Sequence, residues 1–302
     1  MKIKYWIKAA RLRTLPLAFS CILISASLAL INKIEFSFTV FSLLIATTLS
    51  LQILSNFAND YGDAIKGSDE IRTGEERMVQ AGKISIKAMK IAIVLFSLIS
   101  LLIGLLLILK VFKEKEIFKI LVFLILGIIS IIAAIKYTVG KSAYGYKAFG
   151  DLAVFLFFGI IGVMGSYYLL TQSYHWKTIP AALFTGCLSC GVLNLNNLRD
   201  FENDRINKKT TLVVKIGVEN AKNYHFGLLV TSFISFLLLL KNTTLLYVLS
   251  AIPLIILFKH LYFMRNEKDL KKLDGQLKVV ALTCFLSSLL CFIVGLFYSF
   301  CS

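Results

Sequence analysis

Charge is scarce in this chain. Only 17% of its 302 residues are charged and 58% are hydrophobic, which excludes an ordinary soluble domain, where about a quarter of residues carry charge. Paired metal-ligand motifs are lacking too. Six cysteines occur, and Cys187-Leu-Ser-Cys190 has a C-x-x-C spacing, but there is no second such pair and no histidine pair nearby. A zinc or thiol-redox site therefore fails, and small packing residues on a membrane helix account for the spacing. The three histidines, His175, His225 and His260, are scattered and form no catalytic pattern. The short alternating segments of a membrane β-barrel are missing as well. No small-residue cleavage pattern follows the basic and aromatic opening Met1 to Pro16, so it reads as a retained first helix with an amphipathic, interfacial lead-in.

What the chain has instead is a series of long apolar runs. Nine of them, at about 14–32, 37–58, 87–109, 117–135, 149–170, 178–198, 223–240, 243–263 and 277–299, have the length a helix needs to cross a hydrocarbon core of ~30 Å. The expected fold is all-α: one polytopic membrane domain over residues 1–302, nine helices bundled around a central cavity. Placing the N-terminus and every even-numbered loop on one side, with span-end residues counted in the adjoining loop, collects 26 of the 33 Lys and Arg and 14 of the 17 acids. By the positive-inside rule that side is the cytoplasm, and the C-terminus lies outside. The run Lys110 to Lys119 carries four lysines on the outer side, accompanied by Glu114 and Glu116. A net charge of +16 spread over five loops suits anionic lipid headgroups and an anionic substrate, not nucleic acid.

The most informative interruption of this apolar pattern is Asn196 to Leu212, N-N-L-R-D-F-E-N-D-R-I-N-K-K-T-T-L. On a continuing helix Asn196, Asp200 and Asp204 fall at i, i+4 and i+8 and project from one face as a ladder of oxygen ligands. Like charges at that spacing oppose a helix by roughly 0.2–0.5 kcal/mol unless a cation is present. A single copy is as well explained by a solvated helix end whose acids pair with Arg199, Arg205, Lys208 and Lys209. A second copy changes the balance. Asn59 to Asp69 reads N-D-Y-G-D-A-I-K-G-S-D, and its Asn59/Asp63 pair matches Asn196/Asp200 at an offset of 137 residues. Each copy closes an apolar run, as in a duplicated helical unit. Asp69 lies two residues too late to mirror Asp204, so the first cluster is expected to leave the helix before its last acid, with Gly62 and Gly67 loosening the backbone.

The loops on the same side add charge and aromatics. Arg11 and Arg13 stand at the mouth of the first span, where topology and a phosphate contact explain them equally. Loop two, Asn59 to about Ile86, is long for a helix connection and carries Arg72, Glu75, Glu76, Arg77 and Met78 to Lys83; it reads as a cap over a site. Loop four, Lys136 to Lys147, mixes Lys136, Lys141 and Lys147 with Tyr137, Tyr144 and Tyr146, for which interfacial anchoring is an equal account. Loop eight, Lys259 to Lys278, is basic and reads as a solvated, lipid-facing segment.

Acid clusters where membrane helices meet cytoplasm, with bases alongside, suit a lipid diphosphate. Mg²⁺ takes oxygen ligands and is commonly shared between one or two carboxylates and substrate phosphates; gripped this way, a diphosphate becomes a better leaving group. A transporter is the rival class, since duplicated halves and charges near the membrane also mark ion pathways. Against it, the acids gather at one face and the spans themselves are nearly free of ionisable residues.

At these residues the chain resembles the UbiA superfamily of intramembrane prenyltransferases, marked by two Asp-rich motifs at the cytoplasmic ends of the second and sixth of nine helices. Here those are Asn59 to Asp63 with Asp69, and Asn196 to Asp200 with Asp204. Through Arg11 to Pro16, Arg77 to Gly82, Tyr144 to Tyr146 and Arg199 to Leu212 it is most similar to the branch that prenylates 1,4-dihydroxy-2-naphthoate. The resemblance covers nearly the whole chain. It implies transfer of a polyprenyl group from polyprenyl diphosphate to that aromatic acceptor with loss of its carboxylate. Asp63, Asp69, Asp200 and Asp204 would hold Mg²⁺, and Asn59 and Asn196 would add neutral contacts. Arg11, Arg77, Lys141, Arg199 and Lys209 would surround the diphosphate, while Tyr137, Tyr144 and Tyr146 would line the acceptor pocket. Related enzymes for 4-hydroxybenzoate, homogentisate or haem share the clusters and stay open as alternatives. The chain departs from the pattern at Leu12, where proline is expected, at Lys208, where glycine is expected, and at Asp151, which replaces a common glutamate.

Overall fold

The computed structural model describes residues 2–67, 76–241, 243 and 245–301, and among them there is no strand, only an isolated parallel bridge between Lys147 and Thr210. The helices in chain order are α1 (Ile3–Ala10), α2 (Leu15–Ile31), α3 (Phe38–Lys66), α4 (Ile86–Val111), α5 (Ile117–Lys136), α6 (Gly150–Val154), α7 (Ser166–Thr171), α8 (Thr178–Arg199), α9 (Phe201–Ile206), α10 (Leu212–Ile216), α11 (Val218–Leu240), α12 (Leu245–Val248), α13 (Ile256–Asn266) and α14 (Asp274–Cys301). A π-helical run, Phe155–Gly165, joins α6 to α7, and a 3₁₀ run, Leu249–Ile255, joins α12 to α13.

Eight helical runs among the described residues are long and apolar enough to cross a bilayer, and they coincide with eight of the nine expected spans. The remaining one, expected at 243–263, is helical but broken where Pro253 sits inside the 3₁₀ run. Proline has no N–H to donate and its ring clashes with the preceding turn, so a regular α-helix cannot continue through it. The pieces still run from one end of the bundle to the other. At one end the Lys177 Nζ donates to the Lys241 carbonyl at 2.7 Å, and at the other Asp274 meets Arg199.

Burial orders the helices from centre to rim. Of the membrane window of α8, 78% is buried inside the protein, against none of α5, so α8 runs through the middle and α5 faces lipid. The largest apolar core joins α2, α8, α11 and α14 through Leu28, Phe184, Leu188, Phe236 and Cys284. A second unites α2, α3 and α4 with α7, and a third seats α1 and Met78, Val79 and Ile84 of loop two against α3 and α4. Trp6 of the lead-in packs edge-on to Phe57 at 5.5 Å, with Ile3 and Ile7 exposed, as an interfacial helix requires.

The fifth crossing shows how irregular backbone is tolerated in a membrane. Carbonyls released from α-helical pairing need partners, because hydrocarbon supplies none. Phe158 O accepts from Cys21 Sγ at 2.9 Å and from Thr185 Oγ1 at 3.0 Å, and Val163 O accepts from Ser25 Oγ at 2.9 Å. Glycines bring the helices close enough. A methyl group on Gly159 would stand 2.8 Å from the Ala182 carbonyl oxygen and one on Gly186 would stand 2.8 Å from the Phe155 ring. Gly159→Val should therefore overpack this crossing by about 1–3 kcal/mol, seen as a lower thermal midpoint of the purified protein in detergent. An unchanged midpoint would show that the crossing can open without cost.

Candidate active site

Both acidic clusters lie at the same end of the bundle, and loop four joins them. Asp63 sits in the last turn of α3, which closes on Gly67 in the left-handed region (φ 66°), so the helix does end before Asp69, as its spacing implied; Asp69 itself lies outside the described residues. Asp63 is 1% exposed. A carboxylate that deeply buried needs a counter-charge. It pairs with Arg77, itself 7% exposed, and accepts a hydrogen bond from the Tyr146 hydroxyl at 2.6 Å. Loop two thus delivers its arginine over the end of α3, in keeping with a cap.

Tyr146 is also the bridge to the second cluster. Lys66 Nζ lies 3.7 Å from its ring centroid and Lys209 Nζ 5.3 Å, positions in which an aromatic face attracts a cation. Lys209 in turn pairs with buried Asp204 at 3.4 Å. The bridge between Lys147 and Thr210 fixes loop four to loop six beside these contacts.

The second cluster keeps its one-turn spacing through a break in the helix. α8 ends at Arg199 and α9 begins at Phe201, with Asp200 between them at φ −92°, ψ 9°. The Asp200 N–H still donates to Asn196 O at 3.1 Å and the Asp204 N–H to Asp200 O at 2.8 Å, so the i, i+4 relation of the three residues survives. Arg199 has a fully buried side chain and grips Asp200 with two bonds, Nε to Oδ1 at 2.8 Å and Nη2 to Oδ2 at 2.7 Å, while Nη2 also donates to Asn196 Oδ1 at 2.8 Å. Such two-pronged bonding uses the planar guanidinium fork fully. Its remaining nitrogen binds Asp274, which Arg13 also approaches at 3.5 Å.

Tyr137 follows directly after α5 and is half-buried. Burial first, and then the negative groups Asp151, Tyr144, Asp63 and Asp204, hold its hydroxyl far above the ordinary tyrosine range, so it stays protonated. Tyr144 packs edge-on to it at 5.3 Å and donates to the Ala133 carbonyl at 2.8 Å; burial pushes its pKa up to about 12. Tyr144 is a support for Tyr137. The other sequence candidates sit at the margin. Asn59 Oδ1 accepts from Thr138 Oγ1 at 3.1 Å, Arg11 acts electrostatically on Asp60, and Lys141 is exposed beside a groove lined by Tyr61, Gly62 and Lys66.

Comparison with known proteins decides the family. The model of the UbiA prenyltransferase family matches residues 18–278. The chain belongs to that family. As a UbiA protein with multiple apolar crossings, it is an integral membrane protein. It is 41% identical over 301 residues to the 1,4-dihydroxy-2-naphthoate octaprenyltransferase of Escherichia coli (strain K12), covering 97% of this chain and 95% of that one. The enzyme of that name from Haemophilus influenzae is 40% identical over 291 residues, with 93% of each chain covered. Among solved UbiA homologues, the apo protein from Aeropyrum pernix K1 superposes with a TM-score of 0.65 at 14% identity over 94% of this chain and 98% of that one. The Archaeoglobus fulgidus homologue bound to GPP and Mg²⁺ gives 0.59 at 16% identity over 94% and 99%. These two share the fold.

Several residues of this UbiA site escape a reading of motifs. Asp60 lies between Asn59 and Asp63 and accepts from the Met78 N–H at 2.9 Å and the Val79 N–H at 3.1 Å, which ties the cap of loop two to α3. Asp274 corrects the reading of loop eight as merely lipid-facing, since that loop ends in the anchor of Arg199. Lys208 explains the expected glycine. The Lys209 N–H donates to Asp204 O at 2.8 Å and the Lys208 N–H to Arg205 O at 3.3 Å, the paired bonds of a Schellman cap, in which Lys208 takes the left-handed position (φ 55°). A side chain there costs roughly 1–2 kcal/mol. Lys208→Gly should raise stability by about 1 kcal/mol and leave activity intact, read by thermal unfolding and turnover; a lower midpoint would refute the strain.

Proposed function

We propose that this protein transfers a polyprenyl group from polyprenyl diphosphate to 1,4-dihydroxy-2-naphthoate with loss of its carboxylate as CO₂, a step of menaquinone biosynthesis. The observation that carries the reading is the 41% identity to an enzyme so named across nearly the whole of both chains. The joining of the two acid clusters through Tyr146 supports it, because a diphosphate needs both clusters within its reach.

The donor set suits magnesium. Asp63, Asp200 and Asp204 offer hard oxygen ligands, with no thiol or imidazole at the site. Mg²⁺ is commonly shared between one or two carboxylates and substrate phosphates, so each cluster would supply part of a ligand set. Asp63 with Asp69, and Asp200 with Asp204, would hold Mg²⁺ together with the diphosphate, with Asn59 and Asn196 adding amide oxygens. When bound, Mg²⁺ neutralises charge on the diphosphate. The protein's own cations do the same work from the other side. Arg77, Arg199, Lys66 and Lys209 already balance the carboxylates and stand ready to share that charge with a departing diphosphate. As the allylic C–O bond breaks, the diphosphate leaves with the electron pair; the ring carbon that bears the carboxylate forms the new C–C bond, and the C–CO₂ bond then breaks with its electron pair returning to the ring as CO₂ departs, within an apolar bundle that keeps water away.

The purified protein with Mg²⁺, a polyprenyl diphosphate and competing aromatic acids should prenylate dihydroxynaphthoate with stoichiometric CO₂ release. Preference for 4-hydroxybenzoate or homogentisate would move it to another branch. Asp63→Ala and Asp200→Ala should each lower turnover by at least 10²-fold, about 2.7 kcal/mol, and chelation by EDTA should abolish it until Mg²⁺ is restored. Near-normal turnover of either variant would remove that residue from the site.

We also place the clusters and the N-terminus in the cytoplasm and the C-terminus outside, on the charge bias of the loops. Single cysteines at Lys83 and Lys113, introduced into a cysteine-free version, should react with an impermeant thiol reagent only in inverted vesicles and only in intact cells, respectively. The opposite pattern would invert the topology.

A further inference from the structure

A polar side chain on the buried face of a central membrane helix must find a partner or cost about 1–3 kcal/mol. Asn194 of α8 has none among the described residues. It is 0% exposed, and neither its amide nitrogen nor its oxygen is hydrogen-bonded. One turn earlier the Cys190 thiol donates to the Asp151 carbonyl at 3.3 Å, so this face of α8 meets the start of the fifth crossing. Asp151 is 7% exposed, and its Oδ1 is likewise without a partner among the described residues. The Tyr224 side chain lies near the same carboxyl group.

A third orphan borders the seam. A methyl group built on Gly191, three residues before Asn194, would lie 3.5 Å from His225 Cε1 and 3.8 Å from its Nδ1, and that nitrogen has no partner among the described residues. His225 and His260 place their Nε2 atoms 2.8 Å apart, and His260 Nδ1 lies 2.7 Å from Gln276 Oε1. For neutral rings the amide oxygen accepts from His260 Nδ1–H, so His260 Nε2 must accept from His225 Nε2–H. That leaves His225 Nδ1 as a bare acceptor.

The seam therefore presents two unpaired acceptors and one amide able to donate and accept. A diphosphate brings only acceptors and negative charge, which Asp151 would repel, and a prenyl chain brings no polar atom. The complement is an aromatic ring with two hydroxyl donors and a further oxygen. Its position suits such a ring. Tyr137 feels Asp151, Asp63 and Asp204, and a methyl group on Gly150, next to Asp151, would stand 2.9 Å from its hydroxyl. Tyr137 thus lies beside the start of the fifth crossing and within electrostatic reach of the acid clusters.

We propose that Asp151 and Asn194, backed by Tyr224 and His225, bind the hydroxyl groups of the aromatic acceptor. The assignment rests on the prenyl-transfer reading above and names the residues that select its acceptor. With the intact protein in lipid nanodiscs, Asp151→Asn and Asn194→Ala should raise the KM for dihydroxynaphthoate at least 10-fold and leave the KM for polyprenyl diphosphate within twofold. The parent should prefer the diol to 1-hydroxy-2-naphthoate, which lacks one hydroxyl, and Asp151→Asn should erase most of that preference, while Asp151→Glu should keep it. A structural role would not move that ratio. Unchanged acceptor KM and preference in variants that unfold at the parent's temperature would overturn the assignment. So would an equal rise in both KM values with a lowered thermal midpoint, which would mark the orphans as a buried-water site. A parent that prenylates no dihydroxynaphthoate would instead overturn the underlying reading, and this assignment with it.

Discussion

Burying a carboxylate at the end of an apolar bundle is unfavourable unless a cation is brought to it, and much of the architecture at this end answers that demand. Asp63 receives Arg77 from loop two, Asp200 receives Arg199 from its own helix, and Asp204 receives Lys209 from the turn that follows it. Breaking a buried pair by removing one partner costs about 3–5 kcal/mol, whereas forming it contributes far less. The pairs are therefore better understood as fixing where the carboxylates stand than as sources of stability. They also leave the site loaded with positive charge that an anionic substrate can share.

The two halves meet this demand differently. In the first, the arginine arrives across a loop and depends on Asp60 to anchor that loop through backbone N–H groups. In the second, the arginine is next in sequence to its acid, and its position is set from a distance by Asp274 at the start of α14. Duplication of the acid spacing thus did not duplicate its support. Tyr146 sits between the halves with a hydroxyl on one carboxylate and lysines of both halves near its ring.

How much of this was legible depends on whether a signal was local. Long apolar runs place helices well because hydrocarbon thickness sets their length, and eight of the nine expected spans coincide with helical runs long enough to cross. The ninth was obscured because hydropathy does not register that Pro253 breaks the hydrogen-bond ladder. The acid clusters were legible as repeats at one-turn spacing, and Tyr146 and Lys209 do meet them. Asp274 and Asp60 were not, since a lone acid in a basic loop or beside a motif has no pattern to mark it. Asn194 was hidden, and Asp151 noted only as a departure from the resemblance, for a further reason. Only packing shows that an amide and a carboxylate oxygen lie buried without partners among the described residues, and neither residue type is unusual where a helix nears its end. Lys141, placed with the diphosphate by resemblance, is exposed beside a groove.

The broken crossing bears on how the protein is made. Pro253 removes one backbone donor from the Leu249–Ile255 run, where Ser250, Pro253 and Leu254 are buried, the Cys291 thiol of α14 donates to Ser250 Oγ at 3.1 Å, and Tyr247 stacks on Tyr298 with centroids 6.0 Å apart. A carbonyl left without its helical donor at membrane depth needs protein rather than lipid beside it. A ribosome delivering this segment to the bilayer would expose it to lipid until the last helix emerged, so partition of the two as a hairpin is favoured over insertion one at a time. Chains shortened within α14 would then lose the preceding crossing along with their own last helix.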